Sequence, residues 1–378
     1  MSLTVCLSAS SLYFAEGGGH LWLHLNWALG FRALGCEVFW LELALPGTAP
    51  EELLPMIAAL RSRLEPYGLA DSLVVDSETP EPLPAEVAAV VPGLERAATA
   101  DFLLTLNCGT PAHVVNRFRR SAFVDIDPGL LQIWVGTGEL HLAPHDHYFT
   151  IGETVGTPEA LFPDLGLNWH HLTPPIALDW WPVAAAAADA PFTTVSNWDT
   201  SEWIELPGCL FENNKKSGFL PFLDVPRQTV QPLELALCLA DCELEEVGGD
   251  LRGRGWRVRH SYEVTSTPAL YQQYIQSSRG EFSACKPSCV QFQNAWVSDR
   301  TICYLASGKP AIVRHTGASR ILPDRAGMLR FHTPEEAVRM LAEVAENYAW
   351  HSQQARALAE EHFDARTILR RVLEVVLS

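Results

Sequence analysis

Positive charge is scarce in this chain. Its 378 residues carry 27 Lys and Arg against 45 Asp and Glu, a formal net charge of 27 − 45 = −18. That balance speaks against a general nucleic-acid binder, which needs a basic footprint to displace counterions from phosphates. A small anion is still admissible, because a few local donors suffice for it. Long apolar runs are missing too: no uncharged stretch reaches the roughly 20 residues of a membrane-spanning helix. The first residues lack the basic start of a secretory signal, so none is expected. Nine cysteines are present, but no C-x-x-C. The pairs Cys238/Cys242 and Cys285/Cys289 are spaced i,i+4, with no His pair following either. Their odd number and the lack of an N-x-S/T sequon suit reduced thiols, a cytoplasmic setting and no metal. Absent as well are G-x-S-x-G, a Walker A loop and a complete G-x-G-x-x-G, which disfavours serine hydrolases, P-loop NTPases and ordinary dehydrogenases.

What is present is a globular composition, 48% hydrophobic and 19% charged, long enough for two domains at about 150 residues each. Strand-like and helix-like segments alternate. Residues 4–8 read as a strand, 20–34 as a helix apolar almost all round, 37–43 as a strand and 53–64 as a helix. A strand at 72–75, a helix at 86–98 and strands at 102–106 and 122–126 continue the rhythm, and 148–151 is strand-like. After the Pro- and Ala-rich tract 172–190 a second α/β series starts. Its strands are expected at 192–196, 256–261 and 311–314, and its helices at 216–223, 268–277 and 296–307. Val338, Leu341, Ala345 and Tyr348 keep helical spacing, as do Ile368, Leu369, Val372 and Val376. Such alternation predicts parallel, doubly wound sheets. The expected fold is α/β, two Rossmann-like domains facing a cleft. One spans residues 1–185 and the other 186–378, with the last helix, about 366–378, crossing back.

The segment SDRTICYLASGKPAIVRHTG (298–317), then RFHTPEEAVRMLAEV (330–344), then a helix after EEHFDA resembles the C-terminal domain of GT-B glycosyltransferases. The Gly-rich loop EGGGH (16–20) after the first strand agrees with that resemblance. It implies a donor-binding second domain and an acceptor-side first domain that close on a nucleoside-diphosphate sugar. On that reading Gly17, Gly18 and Gly19 let substrate approach the backbone, and His20 is a base or an oxocarbenium-stabilising group. Arg279, Glu281, Lys286, Asp299 and Arg300 would gather around the diphosphate. Thr316, Gly317 and Ser319 follow a strand, at the end where doubly wound sheets bind ligands. Retaining members of the family carry two glutamates eight positions apart, where this chain has Ala295 and Cys303. Stereochemistry therefore does not follow from the resemblance.

Asp125-Ile126-Asp127 spells D-x-D, a metal-binding pair in another glycosyltransferase fold. Here Pro128-Gly129 suggests a turn, and Asp127 is read as a catalytic or acceptor-contacting group without metal. The cluster His141, His145, Asp146 and His147 reads as a polar surface loop. The function expected is transfer of a sugar from a nucleoside-diphosphate sugar to a hydroxyl acceptor, without cofactor, nucleic-acid partner or transmembrane segment. The alternatives are a nucleotide-sugar epimerase or hydrolase, or a non-catalytic binding protein of the same fold.

Overall fold

In the computed structural model, which describes residues 2–206, 208–323 and 326–378, the chain forms two compact units. Residues 1–177 and 364–378 make the first, and 178–363 the second.

Unit 1 begins with β1 (Thr4–Ser8), α1 (Gly18–Ala33), β2 (Glu37–Ala44), α2 (Pro50–Leu64) and β3 (Leu73–Ser77). Two short helices follow, α3 (Ala85–Ala88) and α4 (Leu94–Ala97). The sequence suggests one helix there, but Pro92 and Gly93 interrupt it: proline removes a helical N–H and glycine favours the extended conformation observed. Next come β4 (Phe102–Thr105), α5 (Ala112–Val115), β5 (Ser121–Asp125), α6 (Leu130–Thr137), β6 (His147–Thr150) and β7 (Trp169–His171). The seven strands lie in the order β3-β2-β1-β4-β5-β6-β7, all parallel.

Unit 2 starts with β8 (Phe192–Asn197) and the hairpin β9 (Trp203–Leu206) and β10 (Cys209–Glu212), followed by α7 (Lys215–Phe219). Then come β11 (Leu233–Cys238), α8 (Asp241–Gly253), β12 (Arg257–His260), α9 (Tyr262–Thr265), α10 (Pro268–Ser277), β13 (Gly280–Ser283) and α11 (Pro287–Phe292). It closes with α12 (Asp299–Ala306), β14 (Ala311–Arg314), β15 (Met328–Phe331), α13 (Pro334–Glu346) and α14 (Tyr348–His362). Its six-stranded sheet runs β12-β11-β8-β13-β14-β15, again parallel throughout. The strand order reverses between β8 and β13, the kind of switch point at whose carboxyl edge open sheets bind ligands.

Local chemistry accounts for the boundaries. Thr333 caps α13 by accepting from the Glu336 N–H at 3.2 Å, and the Glu336 carboxylate returns to the Thr333 N–H at 3.3 Å. The helical stripe expected through Ala345 and Tyr348 is cut at Asn347. The residues that α13 buries are Ala337, Leu341 and Val344. Tyr348 opens α14 instead. Likewise α12 starts at Asp299, not at 296, because Trp296 and Val297 belong to the approach loop and Ser298 is the cap.

The last helix, α15 (Ala365–Leu377), returns to unit 1 and buries Ile368, Leu369, Val372 and Val376. Helix α1 is buried on nearly every side, consistent with a sheet on one face and α15 on the other. The helices approach closely at Gly30, where an added Cβ would stand 2.6 Å from Leu369 Cδ1 and 2.7 Å from Ala365 Cβ. Leu369 is fully buried. Leu369→Ala is therefore expected to destabilise unit 1 by about 2–5 kcal/mol, read as a lower urea midpoint for that unit, followed by amide hydrogen exchange of its helices. An unchanged midpoint would show that α15 is dispensable for that core.

Candidate functional site

Unit 2 carries a concavity of about 400 Å3, open mouth included, at the carboxyl edge of its sheet. Ser283, Ala284 and Cys285 approach it from β13, and Val313, Arg314 and Thr316 from β14. Trp296 and Ser298 come from the approach to α12, Arg300 and Thr301 from its first turn, and Met328 and Arg330 from β15. The first turn of α12 thus faces the pocket, and its free N–H groups favour an anion. Ser298 caps that turn, accepting from the Arg300 N–H at 3.3 Å.

Arg300 is the most constrained group in the wall. Its Nε meets Glu281 Oε1 at 2.8 Å, Nη1 donates to the Val195 carbonyl at 2.9 Å, and Nη2 donates to Ser283 Oγ at 2.6 Å. Burial works against its charge, but Glu281, completely buried in β13, holds its pKa above the ordinary value. Guanidinium has five N–H groups, so two remain for a ligand. Lys215, at the start of α7, lies outside the lining but adds a cation beside it, its ammonium 5.8 Å from the centre of the Trp296 ring. Burial and then the Arg300 charge push its pKa down. Among the described residues no carboxylate lies within ion-pair reach of it. Arg314 brings a third charge. Its guanidinium donates to the His332 carbonyl and lies 5.3 Å over Phe222.

Of the residues expected around a donor, Arg300 and Thr316 line this pocket. Thr316 Oγ1 donates to the Trp296 carbonyl at 2.7 Å, and its own carbonyl accepts from the Ala295 N–H at 3.0 Å. Gly317, at φ +125°, lets this strand end press on the neighbouring loop: a Cβ there would lie 2.5 Å from the Gln293 carbonyl. Glu281 stands behind Arg300, not on the pocket surface. Lys286 caps α11 and is taken by Glu202 at 2.7 Å. Asp299 lies in the first turn of α12 but outside the lining, accepting from Ser298 Oγ at 3.3 Å. Ser319 folds a turn, accepting from the Leu322 N–H at 2.7 Å. Arg279 is at the opposite end of β13, its guanidinium 3.3 Å over the Tyr348 ring and its N–H on the Pro191 carbonyl. It precedes the strand, and the pocket follows it. Lys215 and Arg314 escaped the sequence reading. The signal for Lys215 was its rarity: the chain has four lysines, all between 215 and 309.

In unit 1 the expected residues sit on the carboxyl edge of the other sheet. Gly17 precedes α1 and Gly18 and Gly19 lie inside it, so only Gly17 belongs to the loop proper. His20 stands in the first turn, its Nε2 2.8 Å from the Ser10 carbonyl. A carbonyl only accepts, so Nε2 carries the proton and Nδ1 is the basic nitrogen. The loop is pinned by Glu42. This buried carboxylate accepts from the N–H groups of Ser11 and Leu12, the Ser11 hydroxyl and the Trp40 indole. His145 is buried between Thr105 Oγ1 at 3.0 Å and the Ala143 carbonyl at 2.7 Å, and Asp146 accepts from the Ser121 N–H at 2.8 Å. These contacts organise a strand entry. Among the described residues no group of three or more His, Cys, Asp or Glu could hold a metal.

Asp125 closes β5 fully buried. It accepts from Gln132 Nε2 at 2.8 Å, Thr150 Oγ1 at 3.0 Å and the Asp127 N–H at 3.1 Å. Burial, aided by the Asp127 charge, pushes its pKa up to about 7, while the bonds from Gln132 and Thr150 hold it back. The fold disfavours the charged form. Its cost is therefore absent below the unfolded value of about 4 and complete above about 7. Stability is expected to fall as pH rises through that window, and Asp125→Asn to remove this part of the fall. Urea unfolding of both proteins at about pH 5 and about pH 8 measures it. A variant-to-native difference that is the same at both values would refute the assignment.

No protein-family model and no curated protein matches the chain. Solved structures do. An α-glucosyltransferase in complex with UDP superposes over 100% of both chains with a TM-score of 0.62 and 11% identity. HepE of Anabaena with UDP and glucose covers 100% of both at 0.58 and 12%. A sucrose-phosphate synthase from Thermosynechococcus elongatus covers 99% of this chain and 98% of its own at 0.55 and 9%. One further α-glucosyltransferase structure holds UDP together with a 13-mer DNA. No helix among the described residues is long and apolar enough to cross a membrane. The chain has the GT-B fold of these proteins, with two Rossmann-like domains.

Proposed function

We propose that the protein is a glycosyltransferase that takes its sugar from a nucleoside-diphosphate sugar. The carrying observation is the pocket of unit 2, in which Arg300, Arg314 and Arg330 meet the first turn of α12 at the carboxyl edge of a doubly wound sheet, with Lys215 beside its Trp296 wall. The leaving group of such a reaction is a nucleoside diphosphate, whose negative charge grows as the glycosidic bond breaks. Cations fixed before the reaction stabilise that charge most effectively. Because side chains supply them, donor binding is read as independent of a divalent metal. UDP is the nucleotide to try first, since proteins of this fold bind it.

The acceptor is read as a hydroxyl compound that is not a nucleic acid, on the strength of the −18 charge. His20 is the group proposed to take the acceptor's proton, because its Nδ1 is the basic nitrogen. Asp127 is proposed to contact the acceptor.

Titration calorimetry with UDP, with and without EDTA, tests the donor site. Lys215→Ala is expected to weaken UDP binding about 10- to 100-fold, the scale of losing a charge-assisted hydrogen bond of about 1.5–3 kcal/mol. EDTA is expected to change nothing. No UDP binding by the native protein, or equal binding by the variant, would sink the reading. His20→Ala should cut turnover about 10²- to 10⁴-fold while leaving UDP affinity within about twofold. Equal losses in both would remove His20 from the chemistry.

A further inference from the structure

One part of the pocket wall has no role in donor binding as described. Cys285 leaves β13 and lines the pocket, and Cys289 follows in the first turn of α11. Both are free thiols, Cys285 buried and Cys289 partly exposed. The Cys285 thiol hydrogen-bonds the Cys289 sulfur, and Lys215 and Arg314 are close enough to act on it electrostatically. Two sulfurs already in contact, one reachable from solvent and both beside fixed cations, meet the requirements of thiol–disulfide exchange.

We propose that Cys285 and Cys289 are a reversible dithiol pair whose oxidation to a disulfide weakens diphosphate binding in the adjoining pocket. The oxidant is a small disulfide of the glutathione type. This rests on the pocket being the diphosphate site.

The Cys289 thiolate attacks one sulfur of the oxidant and expels one thiolate. Cys285 then gives up its proton and attacks the Cys289 sulfur of the mixed disulfide, expelling the second. The protein loses two protons and two electrons, and the oxidant gains them as two thiols. Cys289 goes first because it is the exposed partner. The hydrogen bond to Cys289, together with burial, holds the Cys285 pKa well above the ordinary thiol value.

The coupling to the ligand is mechanical. A disulfide draws its sulfurs to about 2.05 Å, so the turn between β13 and α11 must tighten. That turn is wedged against α7: a Cβ on Gly218 would lie 1.9 Å from the Cys285 carbonyl oxygen. With no slack at this contact, a shift of Cys285 is passed to α7, whose first residue is Lys215. Closely packed contacts of this kind transmit small displacements instead of absorbing them. Cys238 and Cys242 have the same spacing at the end of β11 and the start of α8, but they are exposed and outside the pocket lining. They serve as an internal control.

The full-length protein is treated with glutathione disulfide, mapped by peptide mass spectrometry and titrated with UDP. A Cys285–Cys289 crosslink is expected, with UDP affinity at least about tenfold weaker and restored by dithiothreitol. Cys289→Ser should bind UDP when reduced and ignore the oxidant, and Cys238→Ser should respond like the native protein. Bound UDP should slow the crosslinking. No crosslink, or a crosslink with unchanged affinity in a protein that binds UDP when reduced, overturns the dithiol proposal. A reduced native protein that binds no UDP instead removes the diphosphate site, and the switch with it.

Discussion

A guanidinium packed beside a parallel sheet loses most of its water, and it stays charged there only if a carboxylate and carbonyls replace that water. Arg300 is in this position, and Glu281 meets the demand from the middle of β13 with no exposure of its own. Two strands and a helix converge on the result. Val195 of β8 and Ser283 of β13 accept from the same guanidinium, and Ser298 caps the helix that carries it. Beneath them Thr193 Oγ1 lies 2.6 Å from Tyr304 Oη and 2.7 Å from Ser278 Oγ, which continues the polar layer toward α10. The pocket keeps its shape because its wall is made of groups that cannot leave without exposing a buried charge.

The strongly acidic chain and the cationic pocket do not conflict. Net charge governs solubility and encounter with large polyanions, whereas a pocket responds to charges within a few ångströms. Here the local balance is set by Arg300, Arg314 and Arg330 in the lining, Lys215 beside it and a helix N-terminus. Lys286, by contrast, is committed to Glu202, which Asn213 also holds at 3.0 Å. Proximity in sequence to the pocket therefore does not make a cation part of it.

The alternation of strands and helices was readable because each element repeats its burial pattern with a fixed period. The Thr-Pro-Glu-Glu cap was readable because it satisfies its own backbone groups locally. Such features depend on neighbours a few residues away. Pro92 and Gly93 were legible in principle, yet the apolar spacing of 86–98 concealed the break they cause. For the pocket, two lining residues were legible, Thr316 after a buried strand and Arg300 at a helix start. Its membership was not: Arg279 and Glu281 are two residues apart, yet one lies at the far end of β13 and the other behind the pocket.

Sequence alone determined that this is a two-domain α/β chain whose C-terminal half ends in helices, since hydrophobic period and turn residues are local properties. It also determined which side chains were available to meet an anion. Tertiary structure decided which of them line the pocket. Lys215 stands beside the pocket residue Trp296 because Gly218 lets α7 lie against the Cys285 carbonyl, and Glu281 serves Arg300 because β13 pairs between β8 and β14. Those outcomes depend on long-range strand pairing and on buried charges finding partners, neither of which has a period or a spacing to read.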